Sequence, residues 1–163
     1  VYFSTQKVDQ KTLALMYNMA DCTINISDAE GFGLATLESL ACETPIIVNM
    51  TGGLQEQVTD GENWFGVGIE PTSKAVIGSQ AIPYIREDRL SQEVVVNALL
   101  KIYNTPKEEL TRLGKMGRNH VMTNYNFEEY GRQWDEIFTM VIEKHGSWKS
   151  RKNYKSWECK EVL

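Results

Sequence analysis

Strand-like and helical segments alternate in the first fifty residues, and this alternation constrains the fold more than any other feature. Residues 10–20 place apolar side chains at helical spacing, whereas residues 22–27 alternate apolar and polar side chains with the period of a strand. A second helical stretch at 34–42 leads to a short apolar run at 46–48, which is typical of a buried strand. Such an order predicts right-handed crossovers, and hence an α/β fold with a Rossmann-like parallel sheet flanked by helices. Residues 1–3 are interpreted as the end of an earlier strand.

The second half of the chain carries helix-capping signals, which predict a helical C-terminal segment. Ser91 is placed to cap a helix, Thr105–Glu108 has the pattern of a capping box with proline at the first helical position, and Asn126 repeats the capping pattern. Gly146 would end the last helix. The helix after Ser91 is expected to bury Val95, Leu99 and Ile102. Residues 61–90, which include two prolines, predict short strands and ordered loop.

Composition excludes several classes of protein. The chain has 163 residues, 42% hydrophobic and 24% charged, which is typical of one globular domain. No apolar run approaches the roughly 18 residues of a membrane span, and the net charge of −5 argues against nucleic-acid binding. The three cysteines include no C-x-x-C pair, which favours a reducing, cytoplasmic setting, and the two isolated histidines give no support for a metal site.

The segment Glu30–Glu38 is the most informative about function, because it joins a predicted strand to a predicted helix. In a parallel sheet this junction lies at the carboxyl ends of the strands, where α/β proteins bind ligands. Gly31 and Gly33 remove side chains where a phosphate would approach, and the amides of residues 33–35 would form a helix N-terminus with unsatisfied N–H groups. Taken alone, the glycine pair also fits a tight turn that binds nothing.

Glu38 has an unexpected position on the helix that follows. At about 100° per residue, Thr36, Ser39 and Glu43 define one polar face, and Glu38 lies away from it. The residues around it are Leu34, Ala41 and Cys42. A carboxylate on such a face is costly to bury unless a donor binds it. That donor is either a hydroxyl-bearing ligand or a neighbouring loop amide, and the residues alone do not decide between them.

One series of motifs runs through the first sixty residues in a fixed order. Its members are Leu15–Asp21, Ser27, Glu30–Gly33, Leu37–Ala41, Thr44–Val48, Gly52, Gly53, Glu56, Val58, Asp60 and Gly61. With these motifs the chain resembles the donor-binding half of a family-4 glycosyltransferase of GT-B fold, and the spacing of Glu30 to Glu38 matches the E-x7-E motif of that family. The resemblance is dense over 13–61 and weaker but ordered over 91–145.

The resemblance implies a glycosyltransferase that takes a sugar from a nucleotide-diphosphate donor and transfers it with retention of configuration. Glu30 would contact the donor sugar as the catalytic carboxylate, and Glu38 would bind the ribose hydroxyls. The implied donor-binding residues are Glu30, Gly31, Phe32, Gly33, Leu34 and Glu38, with Thr5, Lys7 and Val8 beside the base. No metal or other cofactor is expected, because the helix dipole and basic side chains offset the diphosphate charge. The acceptor would be a sugar, a lipid-linked molecule or a protein.

The chain departs from the family pattern in three respects. Glu43 stands where the family commonly has the glycine of a Gly-x-Pro turn, and residues 62–90 are longer than the usual link. The Arg and Lys that the family uses to neutralise the leaving diphosphate would precede this chain, as would the acceptor-binding domain. Residues 1–145 are therefore expected to form a partial nucleotide-sugar-binding domain, inactive in isolation.

Residues 146–163 are predicted to form a separate basic and aromatic tail. From 144 to 160 there are six basic residues and one acid, a local charge of +5, interleaved with Trp148, Tyr154 and Trp157. Such a tail can dock on an anionic membrane surface, which would place a cytoplasmic enzyme at the membrane periphery. In the resembled family the C-terminal segment instead often returns to the other domain.

Two other functions compete with the transferase. A sugar-nucleotide epimerase shares the GT-B architecture, but it would use catalytic acids and a histidine that this loop lacks. A non-catalytic nucleotide-sugar-binding or scaffold domain of GT-B ancestry would keep the fold without turnover. The presence of both Glu30 and Glu38, neither of which folding requires, favours the enzyme.

Overall fold

The computed structural model of the protein describes residues 5–152. The helices are α1 (Gln10–Met19), α2 (Leu34–Ala41), α3 (Leu54–Val58), α4 (Gln92–Tyr103), α5 (Lys107–Asn124) and α6 (Phe127–His145). The strands are β1 (Thr23–Asn25), β2 (Ile46–Asn49), β3 (Gly66–Ile69), β4 (Ser73–Ile77) and β5 (Ile85–Arg89). The strand predicted at 1–3 and the part of the predicted tail after 152 lie outside the described residues.

A three-stranded parallel sheet has β2 as its central strand. Ile47 on β2 pairs with Ile24 on β1 and with Val67 on β3. The side chains of Ile46, Ile47 and Val48 are fully buried, as in a parallel strand covered on both faces. The predicted Rossmann-like α/β fold with a parallel sheet is confirmed.

Two glycines on α5 let that helix approach the end of α2 closely. A Cβ atom on Gly114 would lie 1.9 Å from the carbonyl oxygen of Glu43, and one on Gly117 would lie 2.5 Å from Cδ2 of Leu40. Leu40 is itself fully buried. This contact fixes the C-terminal end of α2, the helix that begins at the predicted donor loop.

Strands β4 and β5 form an antiparallel hairpin that belongs to a second sheet. The sequence predicts short strands in this segment but not their pairing. The base of the hairpin is attached to the loop after β1, since Nη1 of Arg89 lies 3.0 Å from Oδ2 of Asp28 and the amide of Asp88 donates to the Asp28 carbonyl at 2.9 Å. The long segment between β3 and α4 is therefore an ordered hairpin.

Two of the three predicted capping side chains act as expected. The Ser91 hydroxyl accepts a hydrogen bond from the amide of Val94, and the Asn126 side chain accepts one from the amide of Glu129. Gly146, at φ 77°, ends α6 as predicted. These caps define the starts of α4 and α6.

Two details of the helix predictions are wrong. The Thr105 hydroxyl donates to the Lys101 carbonyl at 2.7 Å and so closes the preceding helix instead of capping α5. Leu99 was expected in the core but is 39% exposed, because α4 turns Ala98 and Ile102 inward. The small Ala98 gives no hydrophobic-spacing signal, although its size lets α4 approach the core cluster that contains Val67.

The chain divides into two compact units with a boundary between Thr123 and Asn124. The first unit contains both sheets, the helices from α1 to α4 and all of α5 except its last residue, and the second unit contains α6. The predicted division after residue 145 stays a prediction. None of the helices in the described part of the chain combines the length and hydrophobicity that crossing a bilayer requires.

Glu43 adopts the left-handed backbone conformation at φ 62°, which a glycine would adopt without strain. A side chain there costs about 1–2 kcal/mol, while glycine loses about 0.5–1 kcal/mol more in chain entropy. We expect Glu43→Gly to raise the free energy of unfolding by about 0.5–1 kcal/mol, measured by thermal unfolding. The substitution also removes the ion pair between Glu43 and Arg118 at 3.8 Å, which is exposed and contributes little to stability.

Glu62→Gly is the control for this prediction, because Glu62 is exposed and does not have a left-handed backbone conformation. A lower melting temperature for Glu43→Gly would contradict the prediction.

Candidate functional site

The loop between β1 and α2 contains two glycines with different structural requirements. Gly33 is the N-cap of α2 at φ 86°, and a Cβ atom there would lie 2.5 Å from Cδ2 of Leu54 and 2.9 Å from Oγ1 of Thr36. A side chain at this position would be strained by the left-handed φ and would have to displace the buried Leu54 side chain, so the fold favours glycine here. A Cβ atom on Gly31 would meet nothing within 4 Å, so open space lies beside the backbone there.

Three successive carbonyl groups of this loop are hydrogen-bonded to the rest of the protein. The pairs are Gly31 with the amide of Gly53 (3.1 Å), Phe32 with Nε2 of Gln57 (2.5 Å) and Gly33 with the hydroxyl of Thr36 (2.7 Å). Because the C=O and N–H of a trans peptide point in opposite directions, the amides that follow are turned away from these partners. The N–H groups of Gly33 and Leu34 have no acceptor among the described residues, and they form the start of α2. Such a start is suited to an anion.

Two further glycines let another part of the backbone support the loop. Gly52 has φ 51°, and a Cβ atom on it would lie 1.7 Å from the carbonyl oxygen of Glu30. A Cβ atom on Gly53 would lie 2.8 Å from the carbonyl oxygen of Phe32. Because Gly52 and Gly53 have no side chains, the backbone before α3 packs directly against the backbone of the loop between β1 and α2. The family resemblance includes this pair, whereas the spacing of residues gives no signal for α3 itself.

Glu30 is partly buried and is held by two donors. Its Oε2 accepts from Nδ2 of Asn25 at 3.3 Å, and its Oε1 accepts from the amide of Gly31 at 3.1 Å. Asn25 is held in turn by the amide and hydroxyl of Ser27, which donate to its Oδ1 at 3.1 and 2.7 Å. The fully buried Asn49 then donates to the Ser27 carbonyl at 2.8 Å. Sequence reasoning missed both asparagines; their only signal is an amide side chain at the end of each of two apolar strands.

The predicted orientation of α2 is wrong. Thr36 and Ser39, which define its polar face, are fully buried. The Thr36 hydroxyl contacts the buried Oε1 of Gln57, and the Ser39 hydroxyl donates to that of Thr23 at 2.7 Å. Glu38 is consequently on the exposed side of the helix. The expected burial cost of its carboxylate does not arise, because the Thr36 and Ser39 hydroxyls, which have hydrogen-bond partners of their own, occupy the core side instead.

The partner of Glu38 is a side chain on the neighbouring helix. Its Oε2 accepts a hydrogen bond from the Tyr17 hydroxyl at 3.0 Å. The protein donor to Glu38 is thus a side chain from the apolar face predicted for α1 and not the neighbouring loop amide that the sequence suggested. Leu34, at the start of α2, is 69% exposed.

The other predicted site residues are less closely associated with this loop. Thr5, Lys7 and Val8 are exposed and precede α1, and no hydrogen bond recorded among the described residues joins them to the loop. Within the same described range, no group of three or more His, Cys, Asp and Glu side chains is arranged to hold a metal ion. In the predicted tail, the Arg151 guanidinium lies 3.9 Å from the ring centroid of Trp148; Tyr154 and Trp157 lie outside the described residues.

Comparison with curated proteins gives relatives that share part of this sequence. D-inositol 3-phosphate glycosyltransferase from Thermomonospora curvata is 33% identical over 116 residues, which cover 61% of this chain and 26% of the relative. N-acetyl-alpha-D-glucosaminyl L-malate synthase from Bacillus anthracis is 27% identical over 100 residues, with the same coverage of 61% and 26%. The chain thus spans about a quarter of the length of these relatives.

Solved structures share the fold over a larger part of the chain. Sucrose-phosphate synthase from Thermosynechococcus elongatus has a TM-score of 0.60 and 26% identity, covering 84% of this chain and 29% of that one. The catalytic domain of Starch Synthase IV from Arabidopsis thaliana has the same TM-score at 18% identity, covering 84% and 26%, and supports the fold alone.

A family model provides the assignment. The model described as glycosyl transferases group 1 matches residues 2–120, which include the whole loop and the helices on both sides of it. The parallel sheet, the glycine-supported loop and the structural likeness all agree with that match. The chain belongs to the group 1 glycosyl transferases and has the fold of a GT-B C-terminal domain.

Proposed function

We propose that this chain is the donor-binding part of a glycosyltransferase that transfers a sugar from a nucleotide diphosphate to an acceptor with retention of configuration. The observation that carries the proposal is the pair of amides at Gly33 and Leu34, which have no acceptor among the described residues and adjoin the open space at Gly31. N–H groups at a helix start bind phosphate without requiring a lysine, because the positive end of the helix dipole lies there. The diphosphate occupies this position in the proposal, and no metal ion is assigned to it.

The two carboxylates, Glu30 on the loop and Glu38 on α2, have separate roles in this proposal. Breaking the bond between the anomeric carbon and the diphosphate oxygen leaves positive charge on the sugar ring and negative charge on the leaving group. Glu30, held by Asn25 and the Gly31 amide, contacts the sugar and stabilises the positive charge, while the loop amides stabilise the diphosphate. Glu38 binds the ribose hydroxyls.

The nucleotide base, the transferred sugar and the acceptor are proposed only as a group of neighbouring residues or a chemical class. Thr5, Lys7 and Val8 flank the nucleotide base, because they precede the helix that packs against α2. The relatives named above are a glycosyltransferase and sugar-phosphate or sugar-conjugate synthases, which supports a sugar as the transferred group. The acceptor is a sugar, a lipid-linked molecule or a protein.

Proton NMR of the first-formed product tests the proposal. The full-length protein is incubated with UDP-, GDP- and ADP-sugars of known anomeric configuration, and the anomer is recorded before it equilibrates. We expect the configuration of the donor to be retained. An inverted product contradicts the mechanism, and nucleotide binding without any turnover supports a non-catalytic binding domain instead.

A further inference from the structure

Tyr17 connects α1 to the carboxylate that the proposed function assigns to ribose. Its hydroxyl donates to Oε2 of Glu38 at 3.0 Å. Its backbone is also fixed, because its carbonyl accepts from the hydroxyl of the buried Thr44 at 2.8 Å and from the amide of Ala20 at 3.0 Å. The phenol therefore extends from a backbone position that the rest of the fold determines.

Glu38 would have several rotamers open to it if it stood alone on the exposed side of α2. The bond from Tyr17 selects the rotamers that place Oε2 next to the phenol. Within the described part of the chain, Oε1 of Glu38 receives no hydrogen bond, so one oxygen is held and the other is free to accept. A carboxylate oxygen can accept hydrogen bonds from the two neighbouring hydroxyls of a ribose.

The surroundings of Tyr17 keep its phenol as a donor. A groove of about 250 Å³ lies between α1 and α2, and its lining is mainly apolar. The lining includes Leu13, Ala14, Tyr17, Glu38, Ala41 and Cys42. The pKa of Tyr17 is raised to about 12, mainly because the phenol is partly buried and secondly because it is hydrogen-bonded to Glu38. A tyrosine hydroxyl with the usual pKa is already protonated at neutral pH, and this shift extends the range in which Tyr17 can donate to more alkaline pH.

We propose that Tyr17 is a positioning residue, whose phenol holds Glu38 in the rotamer in which the second carboxylate oxygen accepts the ribose hydroxyls of the donor nucleotide. This inference rests on the proposed function. Tyr17 itself does not touch the nucleotide in this arrangement; it acts through Glu38. Removing its hydroxyl should therefore reduce recognition of ribose and leave recognition of the diphosphate unchanged.

Calorimetry on the full-length protein separates these two effects. UDP, GDP and ADP are compared with their 2′,3′-dideoxy forms, which lack the hydroxyls that Glu38 would bind. For the nucleotide that binds, Tyr17→Phe should weaken the ribo form about fivefold, the effect of one lost hydrogen bond, and leave the dideoxy form unchanged. Tyr103→Phe, at a tyrosine on α4 that is 84% exposed, is the matched control and should change neither.

Glu38→Gln distinguishes failure of this inference from failure of the proposed function. It should weaken the ribo form at least about tenfold, and adding Tyr17→Phe to it should have little further effect, because the two residues act as one unit. If Glu38→Gln changes nothing, or if none of the nucleotides binds, the proposed ribose contact is wrong. If Glu38→Gln weakens the ribo form but Tyr17→Phe weakens both forms equally or neither, Tyr17 does not position Glu38. A melting temperature recorded for each variant identifies loss of folding.

Discussion

Gly52→Ala is expected to lower the free energy of unfolding by about 3–5 kcal/mol and to abolish nucleotide-diphosphate binding. The new methyl group would lie 1.7 Å from the carbonyl oxygen of Glu30, and that oxygen belongs to backbone that has little freedom to move. The left-handed φ of 51° adds further strain. Since the Glu30 peptide leads into the amides at Gly33 and Leu34, displacement of the loop should remove the anion site as well as stability. Denaturant unfolding and calorimetry with nucleoside diphosphates measure the two effects.

Gly61→Ala is the matched control for this substitution. Gly61 has φ 96°, also in the left-handed region, but a Cβ atom there would meet nothing within 4 Å. The Gly61→Ala variant should therefore lose only about 1–2 kcal/mol of unfolding free energy, from the strained φ, and should keep its affinity for the nucleotide. If Gly52→Ala is no more destabilising than Gly61→Ala, the close contact between the loop and the glycine pair does not exist in solution.

Glu30→Ala is expected to lower turnover at least about tenfold, or roughly 1.4 kcal/mol of barrier, while leaving affinity for the bare nucleoside diphosphate nearly unchanged. A carboxylate that contacts the sugar matters most when the glycosidic bond breaks and the ring becomes positive. The bare nucleotide has no sugar at this position. Binding by calorimetry and donor consumption by the full-length protein are measured on the same preparations.

Asn25→Asp and Glu62→Ala help to interpret the Glu30 result. Glu62 is an exposed loop glutamate, and its removal should change neither quantity. Asn25→Asp replaces the donor that binds Oε2 of Glu30 with a second carboxylate, so turnover should fall while nucleotide affinity remains. If Glu30→Ala abolishes nucleotide binding, Glu30 contacts the nucleotide and not the sugar; if turnover survives, Glu30 only shapes the turn.

The central strand β2 and the start of α6 could be predicted because their signals are local. An uninterrupted apolar run is formed by Ile46, Ile47 and Val48 between polar segments, and a short run of β-branched residues is typical of a buried strand. The cap at Asn126 depends on residues only three positions apart, and it too was predicted correctly. The hairpin of β4 and β5 was not, because its pairing and its attachment to Asp28 depend on residues distant in sequence.

The orientation of α2 shows why counting polar residues fails at a buried face. Thr36 and Ser39 appear polar, but their hydroxyls contact Gln57 and Thr23, which lie 21 and 16 residues away along the chain, and the Thr36 hydroxyl also bonds to the nearby Gly33 carbonyl. Once those partners are present, both threonine and serine enter the core without leaving an unsatisfied group. The E-x7-E spacing identified Glu38 as a candidate although the argument from its helix face was wrong, because motif spacing does not depend on which face is buried.

The hydrogen bonds from Gly53, Gln57 and Thr36 to the loop carbonyls have a consequence for the energetics and the rate of ligand exchange. They hold the loop through the chain's own contacts, so an arriving anion does not have to order it. The protein then loses little conformational entropy on binding, so the affinity for the anion is close to what its contacts with the loop provide. Under the proposed function, release of the nucleoside diphosphate product would likewise require no local unfolding of this loop. If the loop binds donors as proposed, its preorganisation would let successive donors exchange at a rate set by diffusion and by the contacts to the ligand itself.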